Sequence, residues 1–389
     1  MTGKLGAGWR SRGLAILFMA GVVGLLANLP ASSQPQQPQV KGQAAKQKKA
    51  GGLRVPVGAP PKKVKAHGDP LAKAGADPVD PDAPDAIFQF EMGTLRDDFL
   101  AARYYRCPKE DATAAPVVLL VHDKGRQGKD FEEPIRDLKG KSLADTLQNE
   151  GYAVLILDLR GHGLNERPKK ELTPRQWQDM TEDLQSAYMF LLDRHNRREL
   201  NLSKFAVVGL GVGANLVAHW VAEPDAATPV APPNSEARPS DLAAVVLISP
   251  EAEAQGMNLA ADLATFADRL PVLVQTGEND EPTANAARAV QKAVERNRLS
   301  KVVLVPDSSL KGERLLRVAS KATDSVFKFL EGNAKLRRDE WDGRYNLEPV
   351  ASRNAHVVAR PKAADADKAK EKEKDKDAVN KDKAGAEKR

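Results

Sequence analysis

Six apolar runs set the limits on what this chain can fold into. VVLLV (117–121), YAVLIL (152–157), FAVVGL (205–210), LAAVVLI (242–248), PVLVQTG (271–277) and KVVLV (301–305) are nearly free of polar alternation. A strand that reads as a continuous apolar run is buried on both faces, and strands of that kind belong to a parallel sheet covered by helices on either side. The intervening segments supply those helices. SLADTLQNEG (142–151) opens on a Ser cap and closes on Gly, the marks of a short helix. In TPRQWQDMTEDLQSAYMFLLDRH (173–195), Trp177, Met180, Leu184, Tyr188 and Leu191 recur at steps of three and four, which predicts one long amphipathic helix. EPTANAARAVQKAVERN and GERLLRVASKATDSVFKFL predict two more, and AIFQFEMG with DFLAARYYRC predicts an antiparallel strand pair ahead of the parallel set. The reading is an α/β fold, a mostly parallel sheet with helices on both faces, over residues 86–335.

The ends differ in kind from the middle. Residues 1–33 carry Lys4, Arg10 and Arg12, then the apolar stretch LAILFMAGVVGLLANL, then Pro30-Ala31-Ser32-Ser33. That order is the layout of a secretory signal peptide. The apolar stretch is shorter than the roughly 20 residues of a spanning helix, so cleavage near Ser33 is the expectation, with an uncleaved membrane anchor as the alternative. The chain is then exported, to a periplasmic or extracellular location. Residues 34–85 are rich in Pro, Gln, Ala and Lys and poor in large apolar side chains, too poor to offset the entropy of ordering, and read as a disordered linker. Lys46, Lys48, Lys49, Lys62, Lys63 and Lys65 make this linker a candidate contact for an anionic surface. Residues 336–389 read as a strap containing Trp341, Tyr345 and Leu347 followed by a solvated tail of mixed charge. The single cysteine, Cys107, excludes an intramolecular disulfide.

The run at 205–210 meets Gly211-Val212-Gly213-Ala214-Asn215 and then an apolar helical stretch. With VVLLVHDKG before it, LDLRGHG between and TGEND after, this segment resembles an α/β hydrolase of the dienelactone-hydrolase or serine-aminopeptidase type, over about Ala86 to Glu331. GLGVGAN stands where that family has GxSxGAN. The resemblance implies a nucleophile at position 211, a base near Leu310 or Lys311, an acid at Asp280, and an oxyanion loop and pocket formed by His122, Asp123 and Val212. Two of those groups are missing: Gly211 has no side chain, and none of the six histidines, at 67, 122, 162, 195, 219 and 356, lies between Trp220 and Ala355. In a comparable triad, losing nucleophile or base costs about a million-fold in turnover. Without a base to orient, Asp280 reads as a surface carboxylate or a cap for the helix from Glu281. Ser249 reads as a cap or turn residue and Cys107 as a small apolar one, since both lack a suitably placed His partner. His162 reads as holding its own turn, and His219 as a helix residue. A Pro-rich insertion at 223–241, EPDAATPVAPPNSEARPSD, is expected to shape the pocket. No metal constellation, dinucleotide fingerprint, phosphate loop or nucleic-acid motif emerges, and no cofactor is expected.

The functional expectation is an exported hydrolase-fold protein without catalysis, acting as a binding or scaffold module toward an unidentified small molecule or protein. The alternatives are an esterase or peptidase with residual or non-standard activity, and an envelope-surface association protein working through its linker and tail.

Overall fold

The computed structural model describes residues 85–165, 170–231, 235–236, 238–345 and 350–358. The expected leader, nearly all of the linker with its six lysines, and the charged tail lie outside the described residues. In chain order the principal elements are β1 (Ile87–Gly93), β2 (Phe99–Tyr105), β3 (Val117–Val121), α1 (Leu143–Asn149), β4 (Ala153–Leu157), α2 (Pro174–Gln178), α3 (Thr181–Asn196) and β5 (Phe205–Leu210). They continue with α4 (Val212–Ala222), β6 (Leu242–Ile248), the two short strands β7 (Glu253–Ala254) and β8 (Met257–Asn258), α5 (Leu259–Phe266) and β9 (Val272–Gly277). The last are α6 (Glu281–Val294), β10 (Lys301–Val305), α7 (Gly312–Val318), α8 (Ser320–Leu330) and β11 (Ser352–Val357).

The strands form one nine-stranded sheet in the order β10-β9-β6-β5-β3-β4-β2-β1-β11. From β4 through β10 neighbouring strands run parallel, while β2, β1 and β11 add antiparallel ribbons at one edge. Every residue of β3, β4 and β5 is buried, as their unbroken apolar runs require. The pleat sends alternate residues to opposite faces. Val117, Leu119, Val121, Phe205 and Val207 join the core under α3, α4, α5 and α6, while Val118, Leu120, Ala206 and Val208 join the core under α1, α7 and α8.

Three sequence expectations change, and the strap after residue 335 is joined by a strand. The long helix over 173–195 is two helices. Between them Met180, Glu182 and Asp183 each donate their backbone N–H three residues back, a tighter winding that turns the axis. The turn keeps Trp177, Met180 and Leu184 in the core and brings Asp183 onto Arg160, at 2.7 Å from both Nε and Nη2. The helical run from Gly312 likewise splits at Ala319, whose φ of −100° and ψ of 101° are extended; the Thr323 hydroxyl ties α8 back to the Leu316 carbonyl at 2.6 Å.

The folded body also continues past residue 335. β11 pairs with β1, and residues 336–345 lie along the end of α3. There Trp341 Nε1 donates to the His195 carbonyl at 2.9 Å, and buried Arg344 grips buried Asp241 with Nη2 at 3.0 Å and Nε at 3.1 Å. Finally, the Pro-rich insertion at 223–241 joins the end of α4 to the start of β6. This puts its described residues at the opposite end of the strands from Gly211, where they do not shape a pocket at the glycine turn.

Candidate functional site

Gly211 follows β5 directly and caps α4, with φ 54° and ψ −125°. That positive φ is a region side chains avoid, and it is the sharp strand-to-helix turn that presents a nucleophile in the hydrolase fold. The Gly211 N–H donates to the Ile248 carbonyl at 2.9 Å, and its own carbonyl accepts from Ala214 at 2.9 Å, so the turn is fixed from both sides. Gly213 allows the loop after β3 to cross closely: a Cβ there would lie 2.1 Å from the His122 carbonyl oxygen.

The place a side chain at 211 would occupy is already filled. A Cβ built on Gly211 falls 2.1 Å from Cγ and Oδ1 of Asp123 and 2.3 Å from Oδ2. Asp123 Oδ1 accepts the N–H of Val212 at 2.8 Å and the N–H of Lys124 at 2.7 Å. In this fold the N–H after the nucleophile and an N–H from the loop after β3 are the donors aimed at a developing oxyanion. Here one carboxylate oxygen of the protein itself takes both. Burial pushes the Asp123 carboxyl above its ordinary range, and the N–H groups of Val212 and Lys124, with the charges of Lys311 and Arg126, pull it back.

His122 is fully buried and spent on structure. Its Nδ1 lies 2.7 Å from the Asp123 carbonyl and its Nε2 accepts the Leu159 N–H at 3.0 Å, which assigns the neutral ring with the proton on Nδ1. Burial lowers its pKa to about 4. The ring therefore clamps the loop after β3 to the turn after β4. His162 bonds the Arg160 carbonyl through Nδ1 at 2.8 Å and lies between His122 and Trp177, with ring centroids 5.3 Å from each. Asp158, at the end of β4, accepts from Gly128 N at 2.5 Å and Leu164 N at 3.0 Å, holding the same two loops.

The remaining expected positions are distributed as follows. Asp280 is the N-cap residue of α6 and accepts the Thr283 hydroxyl at 2.6 Å, so its carboxylate serves the helix start. Leu310 does not face the turn: its side chain packs against the core under α7 and α8. The neighbouring residues are the ones at the site. A Cβ on Gly312 would sit 3.7 Å from Asp123 Oδ2, and the Lys311 charge acts on that carboxylate. Ser249, with a positive φ of 51°, accepts the Gly312 N–H on its hydroxyl at 2.9 Å and so anchors this loop beside Gly211. Cys107 is buried, with Sγ 3.4 Å from the Gly151 carbonyl. His219 pairs with Asp262 at 3.2 Å, which raises its pKa, on the exposed side of α4.

Sequence reasoning did not find the ionic rim. Arg126 pairs with Glu313 and, at 2.9 Å, with Asp130, while Arg317 holds the other Glu313 oxygen at 3.0 Å. Partners 187 residues apart leave no local signal. Among the described residues no group of three or more His, Cys, Asp or Glu is arranged to hold a metal.

Position 211 thus carries no hydroxyl, thiol or imidazole, and the N–H groups of Val212 and Lys124 are both taken by Asp123. The family model for serine aminopeptidase, S33, matches residues 138–299. No curated protein sequence matches the chain. Among solved structures, an esterase of Pyrococcus furiosus aligns with 15% identity and a TM-score of 0.47 over 67% of this chain and 98% of its own. An acylaminoacyl peptidase of Pyrococcus horikoshii aligns with 11% identity and a TM-score of 0.46 over 65% of this chain and 42% of its own. A dienelactone hydrolase of Anabaena variabilis aligns with 17% identity and a TM-score of 0.41 over 63% of this chain and 96% of its own. The strand order and the strand-to-helix turn at Gly211, with the serine aminopeptidase match over 138–299, show an α/β-hydrolase fold in this chain.

Proposed function

We propose that this protein is an exported, catalytically silent protein of the α/β-hydrolase fold whose folded body serves as a binding or scaffold module. The observation that carries the reading is the Asp123 carboxylate, which overlaps the place of a side chain at 211 and accepts both Val212 and Lys124 N–H groups. A substrate carbonyl would have to displace an anion from the two donors it needs, and would then meet a glycine. The apparent loss is not confined to one residue: nucleophile, base and open oxyanion hole are all missing, and His122 is held neutral between two backbone groups. The export part of the reading rests on the order of charge, apolar stretch and small residues in 1–33.

Treatment of the purified full chain with a fluorophosphonate probe, alongside hydrolysis of p-nitrophenyl acetate, tests the catalytic part. The expected result is no labelled serine and turnover at the level of buffer. A covalently labelled serine with ester turnover would establish the esterase or peptidase alternative in its place. Mass spectrometry of the protein from its native host tests export, with a mature start near Gln34 expected and an intact Met1 in the cytoplasmic fraction counting against it. Salt-sensitive retention on envelope material by the linker alone would favour the surface-association alternative.

A further inference from the structure

About 20 Å from the glycine turn, at the end of the strands where β6 begins, the structure contains a second concavity. It is a cavity of about 470 Å³ between the last turns of α4 and α5 and the entry to β6, within the size range of small-molecule sites. Its walls include Val221, Leu242, Phe266 and Leu270, and two arginines, Arg238 and Arg269, also line it. We infer that this cavity binds an anionic amphiphile, a carboxylate carried on an apolar body, with the carboxylate taken by Arg269 and Arg238. The site is remote from Gly211 and stands whether or not the protein is catalytically silent.

Charge decides the class of ligand. Glu223 is the only acidic side chain among the lining residues; burial raises its pKa, and a hydrogen bond with Thr181 engages it. The carbonyl ends of α4 and α5 point this way and contribute roughly half a negative charge each, attenuated by solvent. The two guanidinium charges offset the helix ends and the Glu223 carboxylate, which is hydrogen-bonded to Thr181, so the anion is held by the guanidinium donors themselves. Arg269 is exposed, and its side chain makes no ion pair or hydrogen bond among the described residues. Among the described residues Arg238 has one ion-pair partner, Asp342, at 2.7 Å. Asp342 is 62% exposed, and a surface pair of this kind contributes little, so an incoming carboxylate can replace it at small cost. A planar fork of donors suits bidentate carboxylate binding, while the apolar walls cover the body of the ligand. An apolar molecule without the anionic head would leave Arg269 unpartnered at the mouth.

Isothermal titration calorimetry of the full chain with decanoate, and with decanol as the uncharged control, tests this. Decanoate is expected to bind at one site and decanol to bind at least about tenfold more weakly, the scale of one charged hydrogen bond. Arg269→Gln should weaken decanoate by about the same factor. Asp342→Asn, which releases Arg238, should tighten it severalfold. The two variants move affinity in opposite directions, so a general loosening of the fold cannot imitate the result. Absence of decanoate binding, equal binding of decanol, or a decanoate affinity indifferent to both substitutions would overturn the assignment.

Discussion

Oδ1 of Asp123 accepts the backbone N–H of Val212 at 2.8 Å, across 89 residues of sequence, and in doing so places its carboxylate where a Cβ on Gly211 would fall. The two positions are therefore coupled: a side chain at 211 and a carboxylate at 123 cannot both be present in this arrangement. Gly211 is thus more than a residue without chemistry. It vacates the volume that Asp123 fills, and it adopts a φ of 54° at little cost.

Gly211→Ser should destabilise the protein by about 1–3 kcal/mol from backbone strain, with an overpacking cost of similar size against Asp123. Asp123→Gly should relieve the overpacking part and leave the strain. Urea unfolding of the single and double variants measures this as a coupling energy. Additive effects within about 0.5 kcal/mol would show that the two residues do not share the space.

On the proposed reading, installing ester chemistry at the turn needs three changes. Gly211→Ser alone is expected to stay at background with p-nitrophenyl acetate, because the hole is filled and no base is present. Gly211→Ser with Asp123→Gly and Lys311→His should exceed every single and double variant, although placement errors of about 1 Å can cost 100-fold. Lys311 is chosen over Leu310 because the partly buried Leu310 side chain packs against the core under α7 and α8, whereas the Lys311 charge acts on Asp123. A parent protein that already turns over ester would locate the nucleophile elsewhere.

His122 predicts a pH dependence of stability. Its folded pKa, about 4, lies below its unfolded value near 6.5. A depressed value means that the folded state resists protonation, so stability is complete above about pH 6.5 and falls as the pH drops towards 4. A difference of about 2.5 pKa units corresponds to roughly 3 kcal/mol. His122→Asn should be less stable than the parent at pH 7, and the gap should narrow by up to that amount by pH 4. Parallel stability curves for the two proteins between pH 7 and 4 would contradict it.

The segment after residue 335 should behave as part of the folded body. Arg344→Met leaves the buried Asp241 carboxylate without its cation, retaining the Tyr188 hydroxyl at 2.8 Å, and should cost about 3–5 kcal/mol. Arg344→Met with Asp241→Asn should cost much less, since no uncompensated charge remains. Limited proteolysis of the parent should preserve residues through β11, while Arg344→Met should be cut within 336–345. Rapid cutting there in the parent would separate the strap from the body.

Much of the architecture was legible because β3, β4, β5 and β6 are covered on both faces, and only continuous apolar runs can be. The lack of a side chain at 211 and of a histidine between Trp220 and Ala355 was legible too, since both are facts of composition and order. Where local signals ran out, the readings moved. A periodicity of three and four persists through the tight turn at Met180, so 173–195 looked like one helix. Residues 310, 311 and 312 could not be told apart without the Ser249 hydroxyl, which fixes Gly312 beside the turn.

What only the tertiary structure decided are the relations between residues far apart in the chain. Asp123 and Val212 meet because β3 and β5 are neighbours in the sheet, and adjacent parallel strands bring their following loops to the same edge. By the same logic the Pro-rich insertion belongs to the opposite edge, since it follows a helix and precedes a strand. β11 joins β1 through backbone pairing that its sequence, exposed at Arg353, Asn354 and His356, does not announce. Sequence periodicity reports how each segment meets solvent and core; which segments meet one another depends on strand order, and that is set by the packing of the whole chain.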